Sequence, residues 1–407
     1  MWFNRPLDGV YNDIFVMDTP TNTFRPIRLC IIVTASVSLY GLYRKQWLYW
    51  TKQGFDVHAI ADAGPEHKTV REMGVTTHSI PMVRNPSPLK DLVSLVRIWW
   101  FLLWHRFDIV HVSTPKAGFL GAIAARLSRH KRLIYTIHGR CYENMTGWRR
   151  KVISGCDWLS CHLAQCVMPV CHELGQAMVN EGLCPSHKIH VVGSGSCNGV
   201  DISQFTRTKE NVANGQDIRR QFGIAEDDLV ILFVGWLRRE KGINELVNAF
   251  ESLAKEYPKI HLLLLGNFEP SDPLEPGVVS SIKNHPRIHC LPWCWDPVPV
   301  YAAGDIFALP SYREGLPSVA LEASAMELPV VATDIMGCRE AVKDQVIGLL
   351  VPPADTKAIE NGIKRLIEDP ALRNKLGING RDRVLREFRQ EAIWAGILEQ
   401  YQKLLSR

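Results

Sequence analysis

Two carboxylates eight residues apart, Glu314 and Glu322, flank the run Gly315-Leu316-Pro317-Ser318. Residues 303–310 before them read as a short buried strand that ends at a proline. The residues after them follow a helical pattern, with Pro317 expected at the first helical position. One carboxylate then lies in a tight loop and the other about a turn and a half into the helix. Helix side chains tilt towards the N-terminus, so Glu322 leans back towards Glu314. Open α/β sheets bind ligands in such loops, outside the carboxyl ends of their strands. The N–H groups near Gly315, Leu316 and Ser318 sit at a helix start, which suits a phosphate. Amides for a diphosphate beside carboxylates for hydroxyls fit a sugar nucleotide. The plainer alternative is two solvated helix charges, and the preceding strand and the Gly-Leu-Pro turn weigh against it.

Other chemistry-bearing residues recur at strand ends. Lys241 follows a strand and a short loop and precedes Gly242 and a helix over 243–257. A cation there can neutralise a leaving diphosphate as its charge grows. Its neighbours Arg238 and Arg239 are candidates for a second positive charge, with Arg239 preferred. His138 closes the strand 132–137 before a glycine, and its imidazole can donate or accept a hydrogen bond near neutral pH. Lys116 opens another strand-to-helix loop and is a candidate contact for an acceptor pyrophosphate. Asn198-Gly199-Val200-Asp201 reads as a turn, where structural duty and ligand contact are equally open for Asn198. Asp-x-Asp occurs nowhere in the sequence, which agrees with metal-independent chemistry carried by Lys241 and helix amides. No metal site and no cofactor are expected.

The elements that must position these residues alternate strand and helix. Strands are expected over 28–34, 55–60, 75–80, 107–112, 132–137, 166–170 and 189–192. A second series covers 229–234, 260–265, 288–291, 306–309, 330–333 and 348–351. Helices are expected over 43–53, 117–128, 381–388 and 391–405. This alternation predicts parallel, doubly wound sheets. The expected organisation is a loosely ordered extension over 1–26 and a first Rossmann-like domain over 27–206. A second follows over 207–390, with a final helix over 391–407 crossing back to the first. Residues 207–226 are polar and read as a linker.

A chain of 407 residues with 46% apolar and 22% charged residues is ordinary for globular domains with their own cores. Of the net charge of +5, residues 1–200 carry +9 and the remainder −4. That asymmetry suits an anionic partner on one half, a membrane surface or a pyrophosphate. Nucleic acid is not expected, because the basic residues are scattered among apolar segments. No secretory signal pattern opens the chain, and eleven cysteines are read as free thiols in a reducing cytoplasm. Cys156, Cys161, Cys166 and Cys171 recur every five residues, which matches no zinc spacing. No apolar segment reaches spanning length. Residues 92–104 come nearest, interrupted by Arg97. They read either as a packed crossover helix or as one that also touches a bilayer through Trp99, Trp100 and Trp104.

Four motifs carry a resemblance across roughly residues 27 to 405. Glu314 to Glu322 resembles the E-x7-E motif of the retaining GT-B glycosyltransferases of family 4. Val234-Gly235-Trp236-Leu237-Arg238-Arg239-Glu240-Lys241-Gly242 is similar to that family's Gly-Arg-Leu…Lys-Gly segment, with Trp236 where the arginine usually stands. Asn198-Gly199-Val200-Asp201…Phe205 and Thr136-Ile137-His138-Gly139 resemble two more of its segments. Residues 111–118 and 193–199 look most like bacterial enzymes that extend lipid-linked surface polysaccharides. The resemblance implies a GT-B fold of two Rossmann-like domains facing a cleft. It implies transfer of a hexose or N-acetylhexosamine, from a donor expected to be UDP-linked, to a polyprenyl-pyrophosphate-linked saccharide. The expected place is the cytoplasmic face of the plasma membrane, as a peripheral protein. It assigns catalysis to His138, Lys241 and Glu314, with His138 near the transferred sugar. Donor binding falls to Gly235, Arg239, Lys241, Glu314, Gly315, Leu316, Pro317, Ser318 and Glu322, and acceptor binding to Lys116 and Asn198. Two other readings are a non-hydrolysing sugar-nucleotide epimerase and a catalytically silent scaffold of the same fold. The carboxylate motif argues against the first, and the intact Glu314, Glu322, Lys241 and His138 against the second.

Overall fold

The computed structural model describes residues 25–143 and 145–406. The expectation for 1–26 therefore lies, up to residue 24, outside the described residues. The chain divides into two compact units. One runs to Asn198 and resumes at Glu391, and the other is Gly199–Gln390.

The first unit holds strands β1 (Arg28–Ile32), β2 (Asp56–Ala61), β3 (Thr76–Ser79), β4 (Ile109–Ser113), β5 (Leu133–Ile137) and β6 (Cys166–Pro169). They form one sheet in the order β3-β2-β1-β4-β5-β6, and every pairing is parallel. β1, β4 and β5 are buried almost throughout and largely apolar, as suits strands covered on both faces. The C-terminal helix Gln390–Leu405 belongs here. Its Ile393, Trp394, Ile397, Tyr401 and Leu404 enter the same core as Leu29, Trp47 and Trp50. Tyr401 Oη lies 2.7 Å from His111 Nδ1 on β4, and Arg132 Nε donates to the Leu404 carbonyl at 2.8 Å.

The second unit repeats the plan with β7 (Leu229–Val234), β8 (Ile260–Leu265), β9 (Ile288–Leu291), β10 (Ile306–Leu309), β11 (Val330–Thr333) and β12 (Gly348–Val351). The order is β12-β11-β10-β7-β8-β9, all parallel. In each sheet the chain starts at the centre, winds to one edge, then returns to wind to the other. The switch points fall between β1 and β4 and between β7 and β10.

Four expectations need correction. Residues 189–192 form no strand: Ile189 makes a single parallel bridge to Val167, and the chain then leaves the sheet edge. The helix expected over 43–53 is two helices, Ser36–Tyr43 and Gln46–Lys52, broken at Arg44 with its φ of 37°. The stretch read as a linker holds helix Lys209–Gln221, capped by the Thr208 side chain, which accepts from Asn211 N. Gly215 is its buried residue, and a Cβ there would come within 2.7 Å of the Ala302 backbone. The junction lies at Asn198–Gly199 rather than after 206. Val200 N donates to Phe388 O at 2.7 Å and Phe205 is buried in the second core, so these residues pack with the second unit.

Candidate active site

In the second unit the loops that leave β7 and β10 are tied together across the switch point. Tyr312 N donates to Glu240 O at 2.9 Å. Arg313 Nε donates to Glu240 Oε1 at 2.8 Å. Lys241 Nζ donates to Glu314 Oε1 at 2.5 Å, with side-chain exposures of 17% and 12%. Ser311, fully buried, donates from Oγ to the same Glu314 oxygen at 2.7 Å. Gly242 makes the approach possible. It sits at φ 68°, and a Cβ there would stand 2.0 Å from the Pro310 carbonyl oxygen. Lys241 and Glu314, 73 residues apart, become neighbours because β7 and β10 pair in the sheet. An ammonium has three donors, so the bond to Glu314 leaves two to meet an anion.

Burial raises the Glu240 carboxyl, but the hydrogen bond and charge of Arg313, with Arg238 and Lys241, outweigh it and hold the group below its ordinary value. Arg238 is committed to Glu240 at 2.9 Å. Arg239, the preferred second cation, is 69% exposed and lies 3.6 Å from Asp272. Trp236 follows Gly235 and is exposed.

Helix Ser318–Ala325 begins one residue later than expected. Pro317 is its N-cap, with an extended ψ of 100°, and no side chain caps the helix. Gly315 and Leu316 lie half-buried in the loop, and Ser318 is exposed at the first turn. Glu322 is buried and accepts a hydrogen bond from Tyr301 Oη at 3.0 Å. Tyr301 also approaches the Val319 carbonyl at 3.2 Å. The fold thus assigns the two glutamates different partners, a lysine for Glu314 and a phenol for Glu322. Neither Ser311 nor Tyr301 was read from the sequence. Ser311 adjoins the motif and offered a signal, whereas Tyr301 comes from helix Val298–Ala303 and offered none.

The first unit carries the remaining candidates. His138 follows β5, and its Nε2 lies 2.6 Å from Ser113 Oγ at the end of β4. Burial lowers its pKa to about 4, so the imidazole is neutral at pH 7. His111 beneath it is lowered to about 3 by burial and then by the charge of His138. Lys116 donates to Asp91 Oδ1 and to the Asn85 carbonyl, both at 2.6 Å, so its charge already has a partner. Asn198 Oδ1 accepts from Trp394 Nε1 at 2.9 Å, an internal tie to the C-terminal helix.

Helix Pro88–Trp104 buries Ser94, Ile98 and Leu102 and exposes Leu89, Leu92, Val93, Val96, Trp100 and Trp104. Trp99 is half-buried, with its indole nitrogen enclosed. Helix Gly147–Leu163 exposes Trp148, Val152 and Trp158 beside Arg149 and Lys151, a second surface the sequence reading missed. Among the described residues no helix is long and apolar enough to cross a membrane.

Comparison with known proteins bears on this geometry. Residues 214–383 match the family model described as glycosyl transferases group 1, and residues 48–204 match glycosyltransferase family 4. The chain is 30% identical to the capsular polysaccharide biosynthesis glycosyltransferase CapM of Staphylococcus aureus, over 92% of this chain and 96% of that one. It is 27% identical to an Escherichia coli UDP-Gal:α-D-GlcNAc-diphosphoundecaprenol α-1,3-galactosyltransferase, over 82% and 85%. In fold it is similar to Anabaena Alr3699/HepE, solved in complex with UDP-glucose. The TM-score is 0.76 at 20% identity, covering 93% of this chain and all of that one.

Proposed function

Because the chain belongs to the GT-B glycosyltransferases of group 1 and family 4, we propose that it transfers a hexose or N-acetylhexosamine, with retention of configuration, from a UDP-sugar to a polyprenyl-pyrophosphate-linked saccharide in surface polysaccharide assembly. One observation carries this reading: Lys241 and Glu314 are paired at the carboxyl ends of the two strands that flank a switch point. Lys241 meets the donor diphosphate with its remaining N–H groups, beside the amides of Gly315, Leu316 and Ser318. As the bond to the sugar breaks, negative charge collects on the diphosphate and the cation stabilises it most in the transition state. Glu314 orients Lys241 and accepts hydrogen bonds from the sugar. Glu322 takes the ribose hydroxyls. His138, neutral and steadied by Ser113, bonds a hydroxyl of the transferred sugar. The acceptor hydroxyl attacks from the face the diphosphate leaves, and the departing phosphate takes its proton.

The names of the relatives support the donor and acceptor classes: one acts on UDP-Gal and a diphosphoundecaprenol-linked GlcNAc, and HepE was solved with UDP-glucose. The exposed apolar face of helix Pro88–Trp104, with Arg97 on it, supports docking at an anionic membrane face where a lipid-linked acceptor resides.

The test is a panel of nucleotide sugars offered with a polyprenyl-diphosphate saccharide, following nucleotide release and the anomeric configuration of the product by NMR. Release of UDP with retained configuration is expected. An inverted product refutes the mechanism, and absence of transfer from every UDP-sugar refutes the donor class.

A further inference from the structure

Two adjacent strands of the first unit carry a ladder of polar side chains on one face. Residues two apart on a strand point to the same side of the sheet. His111 and Ser113 on β4 therefore share a face, as do Thr136 and His138 at the end of β5. Each β4 residue bonds the residue two beyond its register partner. His111 Nε2 lies 2.7 Å from Thr136 Oγ1, and Ser113 Oγ lies 2.6 Å from His138 Nε2. A tyrosine ends each rung. Tyr401 Oη meets His111 Nδ1 at 2.7 Å, and the Tyr43 phenol is hydrogen-bonded to Ser113. Tyr43 closes helix Ser36–Tyr43, and its ring packs against Trp47 with 4.8 Å between centroids. His111, Ser113, Thr136, Tyr43 and Tyr401 are all buried. A buried polar chain is costly unless every proton in it has an acceptor.

That requirement decides where the proton of His138 sits. Its ring is neutral at pH 7 and so carries one proton, on Nδ1 or on Nε2. Ser113 has one proton and two neighbours, His138 Nε2 and the Tyr43 phenol. If Ser113 donated to Tyr43, the buried phenol proton would have no acceptor among the described residues. If His138 and Tyr43 both donated to Ser113, the serine proton would be stranded instead. One arrangement uses every buried proton: Tyr43 donates to Ser113, and Ser113 donates to a bare Nε2. The ring proton is then on Nδ1, which has no partner among the described residues and belongs to a half-buried side chain. We infer that Ser113 is a positioning residue that fixes the tautomer of His138, so that the imidazole meets the transferred sugar through Nδ1–H as a hydrogen-bond donor and not as a proton acceptor. The contact with the sugar rests on the glycosyl-transfer reading, whereas the tautomer does not. Two consequences follow for the reaction. The sugar has to offer an acceptor oxygen to Nδ1–H, and His138 cannot take the proton of the attacking hydroxyl, which leaves that proton to the departing phosphate.

The experiment records long-range proton–nitrogen NMR spectra of the full chain, with nitrogen-labelled histidine rings, at pH 7 and without any ligand. Such spectra distinguish a protonated ring nitrogen from a bare one, and loss of a signal in His138→Gln assigns it. The variants are Ser113→Ala and Ser113→Cys, the second nearly isosteric and a weaker donor, with far-UV circular dichroism as the check on folding. The wild type should show Nδ1 protonated and Nε2 bare. Ser113→Ala should populate both tautomers and lower kcat about tenfold, with UDP affinity by calorimetry within twofold of wild type. Ser113→Cys should fall between, and it decides the matter if the alanine variant does not fold. A wild-type His138 protonated on Nε2 overturns the inference. A folded Ser113 variant that loses turnover with its tautomer unchanged overturns it too, since the serine would then be structural only. A mixed tautomer with wild-type kcat likewise overturns a role in transfer. A wild type that transfers no sugar fails the glycosyl-transfer reading, and the ligand-free spectrum still decides the tautomer.

Discussion

Replacing Lys241 by methionine separates the lysine's chemical role from its structural one. The ammonium sits 2.5 Å from Glu314 Oε1, and both side chains are mostly shielded from water. At an effective dielectric of about 20 that separation corresponds to roughly 6–7 kcal/mol of attraction, much of it offset by the desolvation of both charges. Removing one partner of such a pair costs about 3–5 kcal/mol when burial is complete. The residual exposure here places Lys241→Met at or below the low end. The catalytic loss is separate. A charged hydrogen bond to the diphosphate is worth about 1.5–3 kcal/mol, so kcat should fall about 10- to 150-fold, and donor affinity by less. The double variant Lys241→Met/Glu314→Gln removes the stranded carboxylate. It should regain most of the lost thermal stability and none of the turnover. Steady-state kinetics with calorimetric donor binding, beside thermal unfolding of all variants, make the measurement. Turnover within twofold of wild type in Lys241→Met, or restored in the double variant, would refute a role for Lys241 in leaving-group stabilisation.

Glu322→Ala should weaken donor binding at least tenfold by calorimetry, about 1.4 kcal/mol or more, while Tyr301 stays anchored by Val319 and the fold persists; unchanged affinity would remove Glu322 from the donor site. Transfer should survive EDTA, since Lys241 and the amides near Ser318 carry the charge; full loss restored by magnesium or manganese would count against this. The protein should bind anionic vesicles at low salt and release them as salt rises. Trp100→Ser/Trp104→Ser is the informative pair, because those two rings are exposed whereas Trp99 is half-buried; a folded wild type that ignores such vesicles would rule out docking on lipid. Burial holds His138 at about 4 and His111 at about 3, against about 6.5 in the unfolded chain. The unfolded state therefore binds more protons between pH 6.5 and 4. The associated stability is complete above pH 6.5 and is lost as pH falls, by about 1.4 kcal/mol per pH unit for each histidine. Urea unfolding of wild type and His138→Gln at pH 7 and pH 5 should show a smaller pH dependence in the variant, and equal dependence would be inconsistent with a neutral His138.

Much of the fold was legible in the sequence because its determinants are local. Leu229–Val234 is apolar along its whole length and Ile260–Leu265 at every position but His261, and short runs of that kind suit strands covered on both faces. The motif loops were legible for the same reason: glycine, proline and charged residues at fixed offsets from a strand end specify a turn and a helix start within a dozen residues. Helix Lys209–Gln221 escaped notice because its one buried residue is a glycine, which adds nothing to a hydrophobic pattern. The partners of the site residues could not be read at all. Lys241 meets Glu314 because strand order sets β7 beside β10, and Glu322 meets Tyr301 because helix Val298–Ala303 packs where it does. Lys116 and Asn198 looked available in the sequence and are engaged by Asp91 and Trp394. Sequence determined which residues could do the chemistry, through short-range periodicity and turn preference. Tertiary structure decided which of them are neighbours, how far each is shielded from water and so in what charge state it acts, because strand order and packing depend on the burial of the whole chain rather than on any local segment.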